Sequence, residues 1–221
     1  IHGWYFNRGA APLTLVFAGI HGNERSAVEL GERLRSRWLG NPHLLQGGCV
    51  LLIPAANPDG IARGTRHNAR GVDLNRNFPG DWKHIRKSDY AFGGNRPLSE
   101  PESRVLASLV EGAPDGLSPS PRPPAAVVSI HSRLILGSGV NNFDGPAAGL
   151  AELMAGYNGY PVWSEWRYHT PGSFGGFAGG QRQIPTITLE LPLRIATERE
   201  WEANIAAVEA VVIRRQPHTK R

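Results

Sequence analysis

Two histidines and two glutamates stand where core packing has no use for them. His21 follows the apolar run LTLVFAGI, His131 ends VVSIH and Glu190 ends TITLE, so three polar groups close three strand-like runs. Glu24 comes three residues after His21, in the stretch HGNE. In open α/β sheets, sites gather beyond the carboxyl ends of the strands, which is where these groups would sit. Imidazole and carboxylate suit Zn²⁺, and three protein ligands leave a fourth position for water, the arrangement of a catalytic centre. With His21 in the loop and Glu24 in the first turn of a helix, both side chains can aim at one point. Gly22 between them permits a tight strand-to-helix turn. His131 is the candidate third ligand, for one Zn²⁺ per chain. Taken singly, each has an ordinary reading: a strand-end histidine is usually structural, and a lone HxxE recurs by chance. Taken together they point to a metal site.

Such groups need strands that end together and helices that cover them. Residues 13–20 read as a buried strand, and 49–54 as a second one ending in the turn-rich AANPDG. Residues 127–131 and 186–191 are short β-branched runs typical of interior strands. Residues 24–38 read as a helix whose Ala27, Val28, Leu30, Leu34 and Trp38 recur on one face. Further helices are expected over 100–111, 146–157 and 198–214. Strands alternating with helices predict an α/β sandwich with a largely buried sheet. The segment 112–124, GAPDGLSPSPRPP, holds too much proline and glycine for regular structure and predicts a surface loop. Residues 79–97 lack periodicity and are long enough to form a functional loop.

Composition narrows the classes. The 221 residues fit one domain over 1–221, and 40% hydrophobic with 19% charged residues is ordinary for a globular protein. No apolar run approaches the ~18–20 residues that cross a bilayer, so no membrane partner is expected. The net charge is +5, but the basic residues are scattered. A solvated surface with some anion-binding arginines fits that pattern better than a nucleic-acid partner. Cys49 is the single cysteine, which excludes an internal disulfide and fits a reducing compartment. With no visible signal peptide, the cytoplasm is the expected location, and the start at Ile1 keeps a trimmed leader and a periplasmic location open.

Five motifs in order, HGNE, NPDG (57–60), RGVDLNRNFP (70–79), SIHS (129–132) and TLELP (188–192), resemble the zinc carboxypeptidases of the carboxypeptidase A type. The resemblance spans residues 18–192, about four fifths of the chain. It implies a three-layer α/β/α sandwich around a mixed, mostly eight-stranded sheet, with His21, Glu24 and His131 as ligands. It also implies Glu190 as the catalytic glutamate. Zinc lowers the pKa of bound water toward ~7. A carboxylate beside that water serves as general base and then as general acid to the departing nitrogen. The apolar neighbours Ile187, Leu189 and Leu191 would raise the pKa of Glu190. Arg66 is the implied guanidinium that polarises the scissile carbonyl, and Arg63 and Arg70 stay open as alternatives. Asn75 and Arg76 match the pair that grips a C-terminal carboxylate, an arginine fork binding it bidentately. That anchor implies an exopeptidase. Tyr168, in WRYHTPGSFGG, matches a mobile tyrosine that closes over substrate, with His169 a rival for its polar role.

The compact length, GTRxNxxGVDLNRNFP and TPGSFG are most similar to the bacterial murein peptide amidase A group. That resemblance implies hydrolysis of the γ-D-glutamyl–meso-diaminopimelate bond of murein peptides in cell-wall recycling. Arg133, close after the metal histidine, is expected to read an extra carboxylate of diaminopimelate. The alternative is an aspartoacylase- or succinylglutamate desuccinylase-like deacylase, a class that shares HGNE and a DLNR-like motif. NPDG and the NFP after Arg76 favour the peptidase. A zinc-dependent binding module for cell-wall peptides would lack a ligand or the base, and no candidate for either is missing. Oligomeric state leaves no mark on the sequence.

Overall fold

The apolar runs pair into one mixed sheet. A computed structural model describes residues 1–9, 12–112, 122–132, 138–164 and 169–214. In chain order the elements are β1 (Trp4–Phe6), β2 (Thr14–Ala18), α1 (Arg25–Gly40), β3 (Val50–Ile53), α2 (Pro58–Arg63) and α3 (Pro101–Glu111). There follow β4 (Ala126–Ser132), β5 (Val140–Asp144), α4 (Ala148–Asn158), β6 (Val162–Trp163), β7 (Thr186–Leu191) and α5 (Glu198–Ile213). The strand order is β1-β3-β2-β4-β7-β5-β6. The four central strands β3, β2, β4 and β7 run parallel, while β1 and β5 join them antiparallel.

Both faces of the sheet are covered, which is why its central strands read as nearly unbroken apolar runs. Val16, Leu52, Val128, Ile130, Ile187 and Leu189 pack on one face, in a core shared with Leu30, Leu34 and Trp38 of α1 and Val208 of α5. Leu15, Phe17, Leu51, Ile53 and Val127 point the other way, onto Leu106 and Val110 of α3 and the rings of Phe78, Phe174 and Phe177. The result is an α/β sandwich with helices on both sides.

Seven strands form the sheet among the described residues, one fewer than the resemblance implies. Between Trp163 and Thr186 the described chain forms no strand, and the glycine-rich GFAGGQ winds instead into a π-helix, Gly176–Gln181. Three strands escape the sequence patterns for local reasons. β1 and β6 are edge strands of three and two residues, and β5, VNNFD, carries two asparagines. The turn-rich NPDG opens α2, because Asn57 Oδ1 accepts from the Gly60 N–H and Pro58 occupies the first turn. Residues 79–97 contain no helix or strand, as expected. Most of the proline-rich 112–124 segment lies outside the described residues, which resume at Arg122. No described helix is long and apolar enough to cross a membrane.

The turn from β2 into α1 is tight, but its left-handed residue is Gly19, at φ +69°. Gly22 serves a different need. A Cβ there would fall 1.9 Å from the Gly60 carbonyl carbon and 2.2 Å from the Ile61 nitrogen, so the HGNE loop lies directly on the backbone of α2. Gly22→Ala is expected to destabilise the fold by about 3 kcal/mol through that overlap. Urea titration will read it as a lower midpoint at unchanged slope.

Candidate metal centre

β2 and β4 are parallel neighbours, and each delivers a histidine at its carboxyl end. His21, Glu24 and His131 are all buried, at 3%, 4% and 3% exposure. One ligand atom from each lies within 4.8 Å of those of the other two. Glu24 stands at the N-terminus of α1 but makes no side-chain cap bond to it. Its carboxylate turns instead to the histidines, with Oε1 2.7 Å from His21 Nδ1 and Oε2 3.1 Å from His131 Nδ1. Oε2 also accepts from the Ser132 backbone N–H at 3.1 Å. The start of α1 places partial positive charge near that carboxylate.

Both imidazoles present Nδ1 inward and Nε2 outward. His131 Nε2 is 3.0 Å from Ser129 Oγ, and His21 Nε2 is 3.1 Å from Asp73 Oδ1. An ionised carboxylate only accepts, so Asp73 keeps one proton on Nε2, and the proton that Nδ1 shares with Glu24 is the one a metal would displace, leaving Nδ1 as the ligand atom. Burial opposes charge on His21, but Glu24 and Asp73 outweigh it and raise the imidazole above its ordinary value. Burial likewise opposes charge on Glu24, and the two histidines overcome it, holding the carboxyl well below the usual range. This is a set of groups that protons now hold together and a divalent cation would hold better: two Nδ1 atoms and a carboxylate, each with its outer atoms already bonded.

Asp73 is the functional residue that motif reading passes over. It sits inside RGVDLNRNFP as an acid between two apolar residues, Val72 and Leu74, and the structure buries it fully. One carboxylate serves three groups. Oδ1 holds His21, Oδ2 accepts from Arg66 Nε at 2.8 Å, and Oδ1 also accepts from the Asn75 N–H to start the turn that carries Asn75 and Arg76. Burial works against its charge, and His21 and Arg66 reverse that, so its pKa falls well below the usual range. Asp73→Asn is expected to weaken metal binding by about 10–100-fold, because the amide no longer dictates the tautomer. Competition against a chromophoric chelator measures that loss.

Glu190 arrives from the next strand. In the β4–β7 ladder His131 is the register partner of Glu190 and Ile130 that of Leu189. Side chains alternate across a strand, so Glu190 and His131 share the site face side by side. Ile187, Leu189 and Leu191 lie on the opposite face, in the core shared with α1 and α5. The expectation that those three neighbours raise the Glu190 pKa is therefore corrected. Burial of the carboxyl itself pushes it up to about 7, with the nearby Glu24 charge adding to the rise against His131 and His21.

Arg66, Asn75, Arg76 and Glu190 all line one polar pocket with the candidate ligands His21, Glu24 and His131. Arg66 Nη1 comes within 3.3 Å of His21 Nδ1, and the guanidinium lies under the Tyr90 ring, 5.2 Å from its centroid. The alternatives point elsewhere: Arg63 reaches the Ala69 carbonyl, and Arg70 is exposed beside Glu100. Asn75 Oδ1 accepts from the Phe174 N–H at 2.8 Å, which leaves the amide NH₂ for the pocket. The backbone of Arg76 is pinched between Gly93 and Gly172, where a Cβ would fall 2.1 and 2.4 Å from the Arg76 carbonyl oxygen. Asp144 and Thr188, which the motifs do not single out, also line the pocket. Arg133 and Tyr168 lie outside the described residues. His169 is described, and pairs with Asp81 at 2.5 Å instead of lining the pocket. NPDG proves to be a brace: Asn57 Nδ2 donates to the Ile20 carbonyl beside His21 and to that of Arg66.

This fold, with a His-Glu-His set at the strand ends, defines a peptide-hydrolysing enzyme of the metallopeptidase class. Its backbone superposes on the carboxypeptidase A of Helicoverpa armigera with a TM-score of 0.69 at 19% identity, covering 94% of this chain and 61% of that one. The murein-tripeptide amidase structure from Escherichia coli O157 gives a TM-score of 0.66 at 27% identity, covering 98% and 87%. The murein peptide amidase A of Escherichia coli (strain K12) is 34% identical over 191 residues, 80% of this chain and 70% of that protein. The chain belongs to the murein peptide amidase A family. Residues 10–99 also match the family described as the succinylglutamate desuccinylase/aspartoacylase catalytic domain.

Proposed function

We propose that this enzyme is a zinc metallocarboxypeptidase that removes a C-terminal residue joined through an amide, with the γ-D-glutamyl–meso-diaminopimelate bond of murein peptides as its substrate bond. The observation that carries the reading is a single pocket holding a His-Glu-His set, a carboxyl poised near neutrality and an Asn-Arg anchor. His21 Nδ1, Glu24 and His131 Nδ1 would hold the zinc. When bound, it supplies a Lewis acid and lowers the pKa of a water.

The chain's own groups do the rest. Asn75 and Arg76 bind the terminal carboxylate and so set which amide lies over the ligands. Arg66, fixed by Asp73 and Tyr90, faces the scissile carbonyl and stabilises the charge that gathers on its oxygen. Glu190 takes a proton from the attacking water and returns it to the departing amine, a shuttle favoured by a carboxyl whose pKa is near 7. The desuccinylase-type deacylase is the second reading, because its family matches residues 10–99. That stretch stops short of His131 and Glu190, and the amidase likeness extends across both halves.

Mass spectrometry of products from L-Ala-γ-D-Glu-meso-diaminopimelate decides between them. Free diaminopimelate is expected with zinc and none with a chelator. Intact peptide in both arms, beside deacylation of N-succinylglutamate, would favour the second reading. Arg76→Ala is expected to lower kcat/KM by about 10²–10³-fold, since it leaves a substrate carboxylate desolvated and unpaired. Amidating that carboxylate should reduce turnover comparably in the wild type and add little in the variant.

A further inference from the structure

The loop over residues 79–97 walls a second cavity that the proposed chemistry does not use. Its volume is about 570 Å³, within the range of sites for small organic molecules. Buried Val72 and Phe92 give it an apolar floor, and the exposed side chains of Arg70, Lys87 and Arg96 stand at its edge. Glu100 is the one acid that lines it. None of its lining residues also lines the pocket of His21, Glu24 and His131.

Buried Asn77 fixes the shape of this wall. Its Nδ2 donates to the Gly93 carbonyl at 2.7 Å and to the Arg96 carbonyl at 3.0 Å. Its Oδ1 accepts from the Glu100 N–H at 3.2 Å. The Leu98 N–H bonds the Asn77 carbonyl, and the Asp73 N–H bonds that of Phe92. One buried amide therefore sets the positions from which Arg96 and Glu100 meet the cavity, and Asp73 anchors Phe92. That gives a residue range without helix or strand a defined form.

Three cations meet one carboxylate here, and that carboxylate is already served. Glu100 Oε2 accepts from Asn68 Nδ2 at 2.8 Å, and Oε1 accepts from the Ser99 hydroxyl at 2.8 Å. Glu100 also stands at the N-cap of α3, where partial positive charge gathers. Arg70 Nε stays 3.9 Å away from it, too far for a hydrogen bond. Among the described residues the side chains of Lys87 and Arg96 make no ion pair and no hydrogen bond. Like charges around one cavity repel, and an anion held between them removes that cost. The surplus of two positive charges matches a phosphate monoester, which carries about −1.5 to −2 at neutral pH. Guanidinium forks suit its oxygens bidentately, and lysine adds a point charge. The cavity is far larger than a bare phosphate, and Val72 and Phe92 offer a surface for an organic body. We infer that this cavity binds a phosphate monoester with an apolar body, at a site separate from the metal centre. The inference rests on neither the zinc nor the murein substrate.

Titration calorimetry of the zinc-loaded protein with phenyl phosphate, phenyl sulfate and inorganic phosphate tests it. Phenyl sulfate keeps the shape but carries one charge, and inorganic phosphate keeps the charge but lacks the ring. Phenyl phosphate is expected to bind at one equivalent per chain, about 10-fold more tightly than either. Replacing both Arg70→Ala and Arg96→Ala should weaken it about 100-fold, the range for losing hydrogen bonds to a charged group. Both side chains are exposed, so the melting temperature should not change. Lys87→Ala alone should weaken binding about 10-fold. Arg76→Ala, which removes the arginine of the metal pocket, should leave affinity and stoichiometry within about twofold of wild type. No binding of phenyl phosphate at millimolar concentration overturns the inference. So does affinity that survives the double substitution, or that is lost in Arg76→Ala, which places the anion in the metal pocket. Phenyl sulfate or inorganic phosphate binding as tightly as phenyl phosphate overturns the assignment to a monoester.

Discussion

Glu190→Gln is expected to lower kcat by about 10³–10⁴-fold while leaving KM, metal content and the fold close to wild type. Glutamine keeps the shape and the acceptor oxygen of the side chain but cannot carry a proton from the water to the leaving amine. Nothing in the ladder changes, because β7 is held to β4 and β5 through its backbone. The substitution also removes a carboxyl whose burial pushes its pKa up to about 7, so the variant should melt no lower than the wild type at pH 8. The sign follows from that shift. A carboxyl with a folded pKa above its unfolded value is easier to bury protonated, so ionised at pH 8 it costs stability, and glutamine avoids the cost. Steady-state kinetics beside elemental analysis and a thermal melt make the test complete. A variant that keeps a tenth of wild-type kcat removes Glu190 from the base role.

The second large effect belongs to His131→Ala. It should abolish stoichiometric metal binding and lower kcat/KM on the order of 10³-fold or more, since metal-ion catalysis contributes several kcal/mol. A readout apart from activity comes from stability. Metal bound only to the folded state stabilises it, so a chelator should lower the wild-type melting temperature. In the variant the chelator should change nothing. Losing His131 also removes one of the two histidines that hold the Glu24 carboxyl below its usual range. One metal per chain retained in His131→Ala, with the chelator shift intact, would place the centre elsewhere.

The local half of this molecule could be read from the chain. Residues 186–191 form β7 as expected, and the helices at 100–111 and 198–214 differ from α3 and α5 by a single residue at one end. Apolar periodicity reports which face each of these buries, and that information is local. HGNE, SIHS and TLELP likewise name the residues that meet, because strand ends of a parallel sheet lie on one edge. Edge strands were not legible. β1 and β6 are too short to show a period, and the asparagines of β5 conceal its alternation.

Which atoms face which could be decided only in three dimensions. The order β4-β7-β5 sets His131 beside Glu190 and brings Asp144 into the same pocket, a juxtaposition of residues tens of positions apart. The pleat sends Ile187, Leu189 and Leu191 to the opposite core, so the Glu190 pKa rises from its own burial and not from its sequence neighbours. Asp73 acquires its role by lying within reach of His21, 52 residues away, and of Arg66. Gly22 is needed for its contact with Gly60 and not for its own turn. The sequence by itself determined the elements and the chemical types at their ends, because periodicity and side-chain chemistry are properties of short stretches. Tertiary structure alone decided tautomer, charge and partner, because each depends on through-space distances that no spacing along the chain encodes.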